Sequence, residues 1–270
     1  MGREDMLRGR NPFELTGDNG EVVLCLHGFT GSPGNYRKLA RKLNEAGYTV
    51  SVPVLPGHGT EPSDMIGVDE HDWLQAAENA YQELRETYEI VHVVGLSLGG
   101  ALSAKLASLH SEISSLILLA PAFAINPFIA TRLGLTDEHA HSQNDKTTSE
   151  NCTDRPNAQP GRMISLPARQ PKGDDMDECI FGYDSFPASS AKALHGAGAM
   201  ARQCCGQITV PTLVIYTAAD MVVDPAACEQ MSAEIPGIKQ VVCLKESEHN
   251  VLLSNDRAEV YDLVQQFLRT

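Results

Sequence analysis

Short apolar runs alternate with amphipathic stretches along most of the chain. Runs of branched apolar residues predict a buried strand over 22–26 and further strands over 49–54, 91–94, 116–119, 212–216 and 240–244. Between these runs, apolar residues recur at spacings of three and four, which is typical of a helix with one buried face. The predicted buried faces carry Tyr36, Leu39 and Leu43; Trp73, Ala77, Ala80, Leu84 and Tyr88; Leu98, Leu102, Leu106 and Leu109; and Val260, Leu263, Val264 and Phe267. Strands that alternate with helices predict a mostly parallel sheet covered by helices on both faces.

The segment between Pro121 and Pro211 breaks this alternation, because no run in it predicts a strand. Residues 136–178 are rich in Asn, Asp, Ser, Pro and Gly, and the acidic run 174–178 within them predicts a solvated face. A helix is predicted near the end of the segment, over 189–203.

An insertion of this length in a compact domain is usually a lid, a cap or a disordered loop. The helical periodicity near its end favours a cap. We therefore predict a core of residues 1–122 and 207–270, with an inserted cap over 123–206.

The composition is that of a globular protein, with 42% hydrophobic and 21% charged residues in a chain of 270. The chain has 35 acidic and 21 basic residues, and its net charge of −14 disfavours nucleic acids and anionic membranes as partners. No run approaches the ~18 consecutive apolar residues of a membrane-spanning helix. The first residues also lack the apolar stretch of a signal peptide.

Seven cysteines without the spacing of a disulfide framework favour a reducing, cytoplasmic setting. We expect Cys25 and Cys243 to pack as small hydrophobic side chains within their strands. The neighbouring Cys204 and Cys205 are expected to be free thiols rather than a strained disulfide.

Residues 95–99 read Gly-Leu-Ser-Leu-Gly, which matches the pattern G-x-S-x-G. The match follows an apolar strand and precedes an amphipathic helix, which is the context this motif requires. A sharp turn from strand to helix would project the Ser97 hydroxyl at the carboxyl edge of the sheet, and side chains larger than glycine at positions 95 and 99 would clash. Ser97 is therefore predicted to be a nucleophile.

A nucleophilic serine needs a histidine base that is oriented by a carboxylate, and with this motif the chain order is serine, acid, histidine. Of the nine histidines, His249 alone follows every strand that could carry the acid. Asp220 lies directly beyond the strand predicted over 212–216 and is favoured as the acid. Asp224 precedes Pro225, where aspartate commonly caps a helix, and is the alternative.

Two main-chain N–H groups are expected to bind the oxyanion of the reaction. One belongs to Leu98, the residue after the predicted nucleophile, and the other to Phe29 in the glycine-rich loop after the first long strand. His27 and His58 are predicted to support these loops through hydrogen bonds rather than to act as bases.

Together these motifs resemble the bacterial carboxylesterase and monoacylglycerol lipase group of the α/β-hydrolases. The resemblance covers residues 11–122 and 207–270 and rests on 26–33 (LHGFTGSP), 57–59 (GHG), 72–73 (DW), 95–100 (GLSLGG), Asp220 with Val222 and Val223, and 247–249 (SEH). Phe13 and the turn 16–20 resemble the short N-terminal hairpin of that group. Residues 123–206 do not align with its cap.

The resemblance implies an α/β-hydrolase fold in which Ser97, Asp220 and His249 form a catalytic triad. It implies hydrolysis of carboxylic esters through an acyl-enzyme, without a metal or an organic cofactor. Because only a neutral His249 can accept a proton, activity is expected to fall under acidic conditions.

Several other activities would use the same residues. A C–C bond hydrolase, a perhydrolase and a peptidase can keep the same triad, whereas dehalogenases and epoxide hydrolases of this fold need an aspartate where Ser97 stands. A non-catalytic ligand receptor is a further alternative, since a fold does not fix a function. The complete triad favours an ester hydrolase over a receptor.

The polar insertion favours small soluble esters of short to medium acyl chains, with monoacylglycerols as a second class. An interfacial lipase would need a lid with an exposed apolar face. The densest aromatic cluster of the insertion either lines the acyl pocket or packs the cap on the sheet; it consists of Ile180, Phe181, Tyr183 and Phe186. Loose spacing disfavours a metal site formed by Asp137, His139 and His141.

Overall fold

The computed structural model describes residues 9–135, 162–166 and 181–270. Its centre is a sheet of seven strands in the order β1-β3-β2-β4-β5-β8-β9. The strands are β1 (Phe13–Leu15), β2 (Glu21–Leu26), β3 (Thr49–Val52), β4 (Ile90–Leu96), β5 (Ser115–Leu119), β8 (Thr212–Thr217) and β9 (Ile238–Leu244). All neighbouring strands pair in parallel except β1 and β3. The predicted mostly parallel sheet is confirmed.

Helices cover both faces of this sheet. They are α1 (Arg37–Glu45), α2 (Glu70–Arg85), α3 (Leu98–Leu109), α4 (Pro127–Leu133), α5 (Ala188–Cys204), α6 (Pro225–Glu234) and α7 (Arg257–Leu268). One apolar core contains buried residues of α2, α3, α5 and α6, among them Trp73 and Leu102. The other contains Leu39 of α1 and Val264 of α7. The inner strands face both cores, so their side chains are almost all buried.

Local sequence explains where the helices begin and end. The Asp69 carboxylate caps α2 by accepting hydrogen bonds from the N–H groups of His71 and Asp72. After α1 the chain turns at Gly47, whose φ of +98° is a conformation that glycine adopts readily. The predicted strand 49–54 ends earlier, at Val52, because Pro53 has no N–H for the ladder.

Two sequence predictions about strands are wrong. The insertion contains a short antiparallel hairpin of β6 (Met163–Ser165) and β7 (Ser185–Pro187), whose strands of three residues are too short to show an alternating pattern. The predicted N-terminal hairpin does not form either. Instead β1 pairs with β3, because β3 lies between β1 and β2 in the sheet.

Two predicted burials are also wrong. Leu109 is 52% exposed because it is the last residue of α3, beyond the part of the helix that packs on the sheet. Cys243 is exposed because β9 is an edge strand. Cys25, Cys204 and Cys205 are buried free thiols, as expected.

Within the three described ranges, no helix combines the length and the apolar composition needed to cross a lipid bilayer.

Helix α5 packs so closely on the chain after β5 that only glycine fits at position 198. A Cβ at Gly198 would lie 2.5 Å from the carbonyl oxygen of Ala122 and 2.8 Å from that of Phe123. We expect Gly198→Ala to lower the free energy of unfolding by about 1–3 kcal/mol, because main-chain atoms must shift to admit the methyl group. Urea unfolding measures this change.

Gly206→Ala is the matched control for this substitution. A Cβ at Gly206 would meet no described atom within 4 Å, so this variant is expected to stay within about 0.5 kcal/mol of the wild type. Equal stabilities of the two variants would contradict the close packing of α5.

Candidate active site

Ser97 occupies a sharp turn between β4 and α3. Its φ of 55° and ψ of −113° place a non-glycine residue in a strained conformation. The Ser97 N–H donates to the Leu119 carbonyl at 2.9 Å, which fixes the turn at the carboxyl edge of the sheet. A Cβ at Gly95 would lie 2.3 Å from Gly99 O, and one at Gly99 would lie 2.0 Å from Leu26 O. The steric reason predicted for both glycines is therefore confirmed.

Three side chains from three separate loops form one hydrogen-bonded chain. The distance from His249 Nε2 to Ser97 Oγ is 2.9 Å, and that from His249 Nδ1 to Asp220 Oδ2 is 2.7 Å. Ser97 and Asp220 are buried, whereas the His249 side chain keeps 19% of its surface exposed. The arrangement can move a proton from the serine hydroxyl to an imidazole that a carboxylate orients.

Both oxygens of the Asp220 carboxylate are engaged. Oδ1 accepts hydrogen bonds from the N–H groups of Val222 at 2.8 Å and Val223 at 3.0 Å, so that Oδ2 points to His249. Asp224 has a different role in the fold: its side chain caps α6 by accepting from Ala226 N at 3.0 Å. The structure thus places Asp220, and not Asp224, beside the imidazole.

Buried hydroxyl groups hold the loop that carries His249. Thr217 at the end of β8 donates through Oγ1 to the Ser247 carbonyl at 2.7 Å. Ser247 in turn donates to Asp256 Oδ2 at 2.7 Å and lies 3.0 Å from the Ser254 hydroxyl. These bonds tie the loop to β8 and to the start of α7.

The two predicted oxyanion donors belong to segments that adjoin Ser97. A Cβ at Gly28 would lie 3.2 Å from Ser97 Cβ, so the loop with Phe29 passes directly over the serine. Leu98 is the first residue of α3, where N–H groups have no partner within the helix and the helix dipole favours negative charge. The oxyanion-binding role of the Phe29 and Leu98 N–H groups stays a prediction.

Two neutral histidines support the loops around Ser97. His27 Nε2 accepts from Leu55 N at 3.0 Å, and His58 Nε2 accepts from Thr30 N at 3.1 Å. The other ring nitrogens face carbonyl oxygens: Nδ1 of His27 faces Gly28 O, and Nδ1 of His58 faces Pro56 O. These contacts confirm that both histidines support loops through hydrogen bonds.

The predicted aromatic cluster of the insertion lies against these same loops. Phe186 packs edge-on against Phe29, with ring centroids 5.1 Å apart. The Tyr183 hydroxyl donates to Gly57 O at 2.9 Å, and the Phe181 carbonyl accepts from Ser32 Oγ at 2.7 Å. Ile180 lies outside the described residues. The substrate-binding role of Phe181, Tyr183 and Phe186 stays a prediction.

No group of three or more His, Cys, Asp or Glu side chains within the described part of the chain is arranged to hold a metal ion. Asp137, His139 and His141 lie outside that part.

Burial keeps the two loop histidines neutral and thereby links stability to pH. Removal from water lowers the pKa of His58 to about 4, and burial together with the nearby His58 lowers that of His27 to about 3. The unfolded chain, with histidine pKa values near 6.5, binds more protons than the folded chain between these limits. The contribution of these two neutral histidines to the free energy of unfolding is therefore complete above about pH 6.5. It is lost as the pH falls toward 4.

We expect the free energy of unfolding to fall by about 1 kcal/mol per pH unit for each of these histidines between pH 6.5 and 5. Urea unfolding at pH 7.5, 6.0 and 5.0 measures the slope. His58→Gln, which cannot be protonated, should show a shallower slope than the wild type. Identical slopes would contradict the linkage to His58.

Sequence reasoning missed several supporting contacts. The left-handed conformation of Thr30 (φ 59°) and the hydrogen bonds of Ser247 and of the Tyr183 hydroxyl were not foreseen. The glycines that flank Thr30 at positions 28 and 31 signal an unusual loop, but no sequence pattern identifies its partners. These contacts depend on tertiary packing.

Comparison with known proteins places the chain among serine hydrolases. The family model described as serine aminopeptidase, S33, matches residues 17–257. The thermostable monoacylglycerol lipase of Bacillus sp. strain H-257 is 30% identical over 97% of this chain and 95% of its own length. A carboxylesterase of Bacillus subtilis is 28% identical over 95% of each chain.

A solved structure is similar over almost the whole chain. It comes from work on LipS and LipT, two metagenome-derived lipolytic enzymes, and matches with a TM-score of 0.76 at 28% identity. The match covers 97% of this chain and 98% of the other. This chain thus has the same fold as that solved structure.

Proposed function

Because this chain belongs to the serine aminopeptidase S33 family of hydrolases, we propose that it cleaves carboxylic esters through an acyl-enzyme on Ser97. The observation that carries the proposal is the hydrogen-bonded chain from Asp220 through His249 to Ser97. The relatives that match nearly the whole chain, a monoacylglycerol lipase and a carboxylesterase, support ester hydrolysis over the other reactions of the fold.

In the proposed mechanism His249 Nε2 takes the proton from Ser97 Oγ as the oxygen attacks the ester carbonyl. The N–H groups of Phe29 and Leu98 bind the oxyanion of the tetrahedral intermediate. Its collapse breaks the ester bond, and the alcohol leaves with the proton that His249 holds. Water that is activated by the same imidazole then attacks the acyl-enzyme and releases the carboxylic acid.

Asp220 has two tasks in this sequence. Its Oδ2 holds the proton of His249 on Nδ1, so that Nε2 is free to accept the proton of the serine. It also stabilises the imidazolium that forms during the attack. Because Val222 N and Val223 N fix Oδ1, the carboxylate is oriented before the substrate binds.

We infer that residues 123–206 form an inserted cap beside this site, which helix α5 anchors to the apolar core of the sheet. We also infer that the substrates are esters of short to medium acyl chains, with monoacylglycerols as a second class. Two observations support the cap: Phe186 contacts the Phe29 ring, and Tyr183 contacts the loop at Gly57. The polar composition of residues 136–178 supports small soluble esters.

We also infer a cytoplasmic location and no nucleic-acid partner. The cysteines of the described part of the chain are free thiols, which suits a reducing compartment. The net charge of −14 opposes contact with phosphate backbones.

A series of p-nitrophenyl esters from acetate to palmitate tests the proposed function, with 1-monoacylglycerols and aminoacyl p-nitroanilides as comparison substrates. We expect the highest kcat/KM for acyl chains of short to medium length and little cleavage of the anilides. A maximum at palmitate would contradict the proposed chain length. Cleavage of the anilides in preference to all esters would show a peptidase instead.

A further inference from the structure

We propose that Tyr183 is a positioning residue for the oxyanion loop, which we define as residues 27–31. The main chain and the hydroxyl of Tyr183 hold this loop and the neighbouring loop 56–60. This arrangement directs the Phe29 N–H toward the reacting carbonyl. The proposal rests on the proposed function, because it assigns a role in the same ester hydrolysis.

The oxyanion loop contains a strained residue immediately after Phe29. Thr30 has a φ of 59°, a left-handed conformation that is an outlier for a β-branched side chain. Such a conformation is strained and persists only where its surroundings fix it. The contacts that hold Thr30 therefore decide whether the Phe29–Thr30 segment keeps its geometry.

Both main-chain groups of Thr30 are held from outside the loop. The Thr30 N–H donates to His58 Nε2 at 3.1 Å, and the Thr30 carbonyl accepts from Tyr183 N at 2.8 Å. The two bonds act on opposite sides of the strained residue. Tyr183 thus supplies one half of this restraint through its main chain.

The Tyr183 side chain holds His58 in place, and His58 makes the other of the two hydrogen bonds to Thr30. Its ring lies parallel to that of His58, with an interplanar angle of 7° and centroids 6.1 Å apart. Its hydroxyl donates to Gly57 O at 2.9 Å and accepts from Thr60 N at 3.1 Å. These bonds bridge the residues on either side of His58 and hold its imidazole against Thr30.

The Phe29 side chain connects the oxyanion loop to the residues that surround His58. Its ring makes edge contacts with Phe186, Trp73 and His58 at centroid distances of 5.1, 6.0 and 6.2 Å. The Trp73 indole N–H donates to Pro56 O at 3.0 Å and so anchors the loop that carries His58. The Tyr183 hydroxyl therefore acts on Phe29 through His58, without contact with the reacting atoms.

Tyr183→Phe tests this role because it removes the hydroxyl and keeps the ring. We expect kcat for a p-nitrophenyl ester to fall about tenfold while KM stays within twofold, since a transition-state interaction is lost and ground-state binding is not. The affinity for a trifluoromethyl ketone, which forms an oxyanion on Ser97, should fall by the same factor.

Tyr48→Phe is the matched control. Tyr48 is also a buried tyrosine whose hydroxyl donates to a main-chain carbonyl, Leu268 O at 3.1 Å, but it lies away from the oxyanion loop. We expect this variant to lose similar thermal stability and to keep the wild-type kcat and ketone affinity. Equal kinetic losses in both variants would overturn the proposal.

A second substitution separates loop geometry from general damage to the fold. Asparagine tolerates the left-handed conformation better than threonine, so Thr30→Asn should restore at least half of the kcat that Tyr183→Phe loses. If Tyr183→Phe lowers kcat by the same factor when Thr30→Asn is also present, the proposal is overturned. It is also overturned if Tyr183→Phe changes only KM.

The two proposals fail in different ways. If the wild type hydrolyses esters and Tyr183→Phe matches it in kcat and in ketone affinity, the positioning role is wrong and the proposed function stands. If the wild type hydrolyses none of the esters, both are wrong.

Discussion

Ser97→Ala is expected to lower kcat for p-nitrophenyl esters by about 10³-fold or more, the loss expected when the nucleophile of a serine hydrolase is removed. The substitution removes the one oxygen that His249 Nε2 faces at 2.9 Å and adds no atom to the strained turn. KM should change little, because the oxyanion loop and the packing of the site are untouched. Initial rates with purified protein measure both constants.

Ser103→Ala is the matched control for this substitution. Ser103 is a fully buried serine of the same helix, α3, and its hydroxyl has no hydrogen-bond partner among the described residues. Its loss should leave kcat within about twofold of the wild type and stability equal or slightly higher, because an unpaired buried hydroxyl is destabilising. Equal rates for Ser97→Ala and the wild type would exclude Ser97 as the nucleophile.

Asp220→Asn is expected to reduce kcat by about 10³- to 10⁴-fold, because it leaves His249 in a tautomer that cannot accept the proton of Ser97. The N–H groups of Val222 and Val223 will keep the amide oxygen of asparagine at the Oδ1 position. The NH₂ group must then face His249 Nδ1, which can only accept from it. The imidazole proton moves to Nε2, where it prevents the base from taking the serine proton.

Asp224→Asn separates the two aspartates that follow β8. Asparagine caps a helix about as well as aspartate, so the cap of α6 at Ala226 N should persist. We expect kcat within about twofold of the wild type and an unchanged melting temperature. A large loss of activity in Asp224→Asn, with Asp220→Asn active, would reverse the assignment of the acid.

Sequence alone could predict the sheet and the meeting of Ser97, Asp220 and His249 because both depend on local chemistry. The apolar runs of the inner strands are continuous, since these strands are buried on both faces. In a parallel sheet the carboxyl ends meet at one edge, and Ser97 after β4 and Asp220 after β8 both lie there. His249, which follows β9, completes the same edge.

Other features depend on tertiary contacts that leave no local pattern. The pairing of β1 with β3 follows from the position of β3 in the sheet, not from the turn between β1 and β2. The hairpin of β6 and β7 has three residues in each strand, too few for a periodic signal.

The support of the oxyanion loop was likewise beyond sequence reasoning. Tyr183 and Thr30 are 153 positions apart, and their hydrogen bond joins the insertion to a loop near the start of the chain. The aromatic residues of the insertion could be picked out as a cluster, but their partners could not. Hydrogen bonds between distant loops are set by packing.

The central claim, an acyl-enzyme on Ser97, is tested most directly by covalent labelling. The protein is treated with an alkyl fluorophosphonate, which phosphonylates an activated serine with loss of fluoride, and the modified peptide is identified by mass spectrometry. We predict one adduct per chain, on Ser97, formed at the rate at which esterase activity disappears and greatly slowed in Asp220→Asn. Full loss of activity with the adduct on another residue, or an active protein that acquires none, would contradict the account.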